Sequence, residues 1–89
     1  MNTDLDDARE ALEHGRSKQA LQLAWRAAIA SITRNDRGGM TAVIEIAEAI
    51  RERSKGRTQE EASKLATLAA YARDHPQPPR IFGVQRDRR

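Results

Sequence analysis

Two glycines in this chain are each followed by the same ladder of small side chains. Gly15 precedes Ala20, Ala24 and Ala27, and Gly56 precedes Ala62, Ala66 and Ala69. In both ladders the steps are four and then three residues, with Leu23 and Leu65 at corresponding places and the glycine offset differing by one. On a helix those steps fall on one face, because 3.6 residues make a turn. A face of alanines lets a second backbone approach closely. The chain is therefore expected to form helical hairpins, with the tight turn just before each ladder.

Periodicity elsewhere completes four helices. Leu5, Ala8 and Leu12 give a narrow apolar stripe over 4–14, started by Thr3 or Asp4 and stopped by Gly15. Ser17 is expected to cap a second helix over 17–34. Asn35-Asp36-Arg37-Gly38-Gly39 has the composition of a turn. A third helix is expected over 40–54, with Val43, Ile46, Ala47 and Ile50 inward. Thr58 and Glu61 match a capping box, so a fourth helix is expected over 59–74, ended by His75-Pro76. Leu12, Leu23, Ile46, Ile50, Leu65 and Leu68 are the expected core.

The alanine ladders behind a turn glycine resemble the second helix of the tetratricopeptide repeat. The resemblance covers Gly15 to Ala27, and Gly56 to Ala69 with one inserted residue. It does not extend to the first helices, where Asp4, Asp7, Ala8 and Ala11 stand in place of the family's bulky set. The resemblance implies close hairpin packing and does not imply the family's peptide-binding groove. The fold expected is all-α: four short antiparallel helices in two helix–turn–helix hairpins, either tetratricopeptide-like or an up–down bundle. Residues 1–75 form the helical domain and 76–89 a Pro-rich, then basic, tail.

Composition narrows the functions. The chain has 89 residues, no cysteine, 38% hydrophobic and 33% charged residues. That length supports one modest core. Without cysteine there is no disulfide, thiolate metal site or cysteine nucleophile. No stretch reaches the ~18 apolar residues of a membrane span. The acidic start, Asp4 to Asp7, is unlike a secretory or transit segment, so a cytoplasmic location is expected.

Catalytic signals are weak. Neither His14 nor His75 is followed by a ligand-type partner at i+3 or i+4. Glu10, Glu13, Glu45, Glu48 and Glu52 read as solvated helix faces, and Gly38-Gly39 lacks the lysine of a phosphate loop. No enzyme activity, cofactor, metal or small-molecule substrate is expected.

What remains is contact chemistry. The second helix is apolar over most of its circumference, so it is either central in the domain or part of an oligomer contact. Leu21, Trp25, Ile29 and Ile32 form the candidate patch on it, with Trp25 readable as core or as contact. In the tail, Pro76 to Pro79 read as an extended spacer. Arg80, Ile81, Phe82 and Val84 then read either as a frayed terminus or as a short motif that docks on a protein partner or folds back on the chain's own helices. A small protein-interaction module, binding a partner or itself as a homodimer, is the function expected. The alternative is a nucleic-acid-associated regulator, because 16 basic residues give a net charge of +3 and arginines gather in the turns and tail.

Overall fold

The computed structural model describes residues 3–75. It consists of α1 (Thr3–Glu13), α2 (Ser17–Thr33), α3 (Arg37–Arg53) and α4 (Gly56–Asp74), with no strand among the described residues. The connections are two or three residues long, which makes successive helices antiparallel neighbours. Side chains mark the pairing. Arg26 Nε of α2 lies 4.0 Å from Asp4 Oδ2 of α1, and Arg73 Nη1, near the end of α4, donates to Thr41 Oγ1, near the start of α3, at 3.4 Å.

Helix ends follow local chemistry, though not always the chemistry expected. Gly15 at φ 74° ends α1 with the Arg16 N–H donating to Ala11 O at 2.8 Å and the Gly15 N–H donating to Leu12 O at 3.1 Å. This is the paired closure that a left-handed residue permits. Asn35, at φ 57°, closes α2 in the same way through Asp36 N–H to Ser31 O at 2.8 Å. Asparagine tolerates the left-handed region better than most side chains.

Three expected starts differ. Ser17 is the first helical residue rather than the cap: Arg16 holds the cap position without a side-chain bond. The third helix begins at Arg37, not 40, because Asp36 caps it by accepting the Gly39 N–H at 3.0 Å, which draws Gly38 and Gly39 into the first turn. The Thr58–Glu61 capping box is not formed. Ser54 and Lys55 run extended, Gly56 turns at φ 66°, and the helix has started before Thr58 is reached.

α1 packs on α2, α2 on α3, and α3 on α4; α2 also meets α4, and α1 touches α3. α1 and α4 do not approach each other. Two hairpins are therefore stacked side by side instead of closing into a ring, and α2 and α3 each touch all three other helices. The alanine ladders sit at these contacts: Ala20, Ala24, Ala27, Ala62 and Ala69 are fully buried. Met40, Val43, Ile50 and Leu65 fill the space between the backbones. Of the expected core, Leu12, Ile46, Ile50 and Leu65 are buried and Leu23 is half-buried. Leu68 is 42% exposed, because it lies beyond the edge of the buried stripe Ala62, Leu65, Ala69 and Ala72.

Candidate functional site

α2 is apolar nearly all round because it is central. Its neighbours cover most of the patch expected to face a partner. Leu21 is buried in the core, Trp25 is half-buried and packed against it, and Ile32 is half-buried. Ile29 is 62% exposed and lies in the outward strip with Gln22, Arg26 and Thr33. The four residues thus do not form one open face. The tail candidates Arg80, Ile81, Phe82 and Val84 lie outside the described residues.

The structure adds a surface that the sequence reading did not nominate, and one of its residues, Leu68, was expected in the core. Leu68 and Tyr71 (61% exposed) stand on the outer face of α4. With Ser63, Lys64 and Thr67 they line a shallow, mainly apolar groove of about 510 Å³. α4 is the last helix of the stack, so no following element covers this face within the described residues. At its carboxyl end the Tyr71 ring stacks on the His75 ring, with centroids 4.2 Å apart and planes 18° from parallel. His75 Nδ1 donates to Tyr71 O at 3.1 Å, which holds the imidazole against the Tyr71 ring.

A second depression, about 350 Å³, runs between α1 and α2 near their turn and is lined by Asp7, Glu10, His14, Arg16 and Gln19 among others. It is polar and mixed in charge. His14 Nδ1 is occupied donating to Glu10 O at 2.9 Å. The described residues contain no group of three or more His, Asp or Glu side chains placed to hold a metal ion.

Both hairpin turns lie at one end of the stack. Arg53 Nη1 of α3 reaches across to donate to Leu12 O of α1 at 3.0 Å. That bond fixes one of the five basic residues at this end (Arg16, Lys18, Arg53, Lys55 and Arg57), and Glu13, Glu52 and Glu60 are exposed on neighbouring stretches of chain. The charge here is mixed, whereas a nucleic-acid surface gathers one sign along a stripe. No helix among the described residues is long and apolar enough to cross a membrane.

Comparison with protein-family models, curated proteins and solved structures returned no match.

Proposed function

We propose that this chain is a small helical protein-interaction module that works by binding a protein partner or a second copy of itself. The observation that carries this reading is the outer face of α4, where Leu68 and Tyr71 leave large apolar area in water beside a groove, while Val43, Ile50 and Leu65 are fully covered. Exposed apolar ground on a domain whose other large apolar side chains, Ile29 apart, pack inward wholly or in part is the usual mark of a contact site. Ile29 on α2 supplies further accessible apolar area, and Trp25 and Ile32 keep part of theirs. The stacked hairpins, with Ala20, Ala24, Ala27, Ala62 and Ala69 buried between the helices, give that face a closely packed support. Interaction through stacked helical hairpins requires no cofactor, and none is proposed.

Affinity capture from the native host with the full chain as bait, with and without nuclease and at low and high salt, tests this. Apolar docking keeps its proteins after nuclease and at high salt. Retention that vanishes with nuclease, or falls steeply with salt, would move the function to phosphate binding through the arginines.

A further inference from the structure

We propose that the α4 groove is occupied in cis by this chain's own carboxyl-terminal segment, with Ile81, Phe82 and Val84 laid along the stretch from Leu68 back to Ser63. Three observations lead there. First, the groove and the segment are matched in chemistry: a mainly apolar trough facing solvent, and an apolar cluster between arginines in a chain with few other large apolar side chains outside its core. Proline-rich segments also favour aromatic-lined grooves, because they are already extended and lose little freedom on docking. Tyr71 offers such a ring where the prolines begin.

Second, the lengths agree. The groove from Tyr71 back to Ser63 begins about 6 Å and ends about 18 Å from His75 along the helix axis, at 1.5 Å per residue. An extended proline-type segment advances about 3.1 Å per residue. If reversing direction at Pro76 uses the length of about three residues, Phe82 arrives at Thr67–Leu68 and Val84 at Ser63, on those two rises. Arg86 then arrives near Glu60 and Glu61, one turn before Lys64, where its charge is complemented.

Third, the groove is the wrong size for the other obvious occupant. It is lined by five residues of a single helix, whereas a stable dimer buries about 1,200–2,000 Å² in total. A tethered segment needs far less, because a short linker supplies an effective concentration in the millimolar range. A contact too weak to hold two molecules together is therefore populated within one. An external partner for α4 would have to displace the tail, which makes the tail a built-in competitor. The docking itself stands whether or not such a partner exists.

Amide nuclear magnetic resonance on the isotope-labelled full chain tests the proposal without any partner. Phe82→Asp should shift the amides of Ser63 to Tyr71, leave α1 unmoved, and give the same pattern at every dilution. Reciprocally, Leu68→Lys, at an exposed position, should shift the amides of residues 81–84. An unmoved α4 would overturn the proposal, as would shifts on Asp6 to Glu13 of α1. So would a pattern that fades on dilution, which would mean a second copy, or one spread over all four helices, which would make the tail part of the core.

Discussion

Ala24 and Ala66 hold equivalent places in the two ladders, yet the fold gives them different surroundings, and enlarging each to leucine should separate them. Ala24 is fully buried on α2, which is touched by α1, α3 and α4. Ala66 is half-buried on α4, which meets only α2 and α3. Leucine adds three carbons, a potential gain of about 2.4 kcal/mol at ~0.8 kcal/mol per buried methylene if space existed. At Ala24 it does not, since Ala20, Ala27 and Ala28 around it are also fully buried. Forcing the side chain in should cost about 1–3 kcal/mol through shifted backbones and poor rotamers. Helix propensity barely enters, because alanine and leucine are both strong helix formers. At Ala66 the added carbons lie along an open edge, and the change should stay within about 0.5 kcal/mol. For a domain of this size a 2 kcal/mol loss lowers the melting temperature by roughly 8–16 °C. Urea titration followed by circular dichroism measures both variants, with the slope held as a check on the unfolded state. Equal effects at the two positions would refute the central placement of α2.

Gly39→Ala should destabilise, although replacing a helical glycine usually gains up to about 1 kcal/mol. A methyl group there would press into Ser31 Oγ and come 2.8 Å from Asp36 Oδ2. Ser31→Ala removes that hydroxyl, which is buried without a hydrogen-bond partner, so the double variant should recover about 0.5–3 kcal/mol by a double-mutant cycle. An additive cycle would mean that α2 and α3 are not this close. Trp25→Lys should cost well above 1 kcal/mol, because the indole packs on the core, whereas Ile29→Lys should stay within about 0.5 kcal/mol in the same melts. Similar losses at both would show that α2 has been turned the wrong way.

Much of this fold was legible because helix-period signals are redundant. Four apolar stripes, Gly15 and the alanine ladders all point to the same hairpins. The errors cluster where a short-range signal competed with a neighbouring one. Gly38-Gly39 reads as a turn until Asp36 is seen to bond the Gly39 N–H, and the Thr58–Glu61 pattern is overridden by a two-residue connection that starts α4 at Gly56. The site was less legible for a different reason. A helical wheel shows that α2 is apolar all round, but not which neighbours cover it; three helices do, leaving Ile29. Leu68 sits beside a buried stripe in sequence, and only the position of α4 at the end of the stack decides that it faces water. Tyr71 could have been found by asking which large side chains of α4 fall outside Ala62, Leu65, Ala69 and Ala72.

The account turns on whether the outer face of α4 is where the chain meets other proteins. The direct measurement is quantitative affinity capture from the native host, after nuclease and in high salt, with the full chain and with its Leu68→Lys, Tyr71→Lys double variant as parallel baits. Circular dichroism melts should first establish that the two baits are equally folded, as their exposure predicts. The account predicts that the wild-type chain retains specific proteins under these conditions and that the double variant loses them. Retention of the same proteins by both baits, or loss from both once nucleic acid is digested, would contradict it.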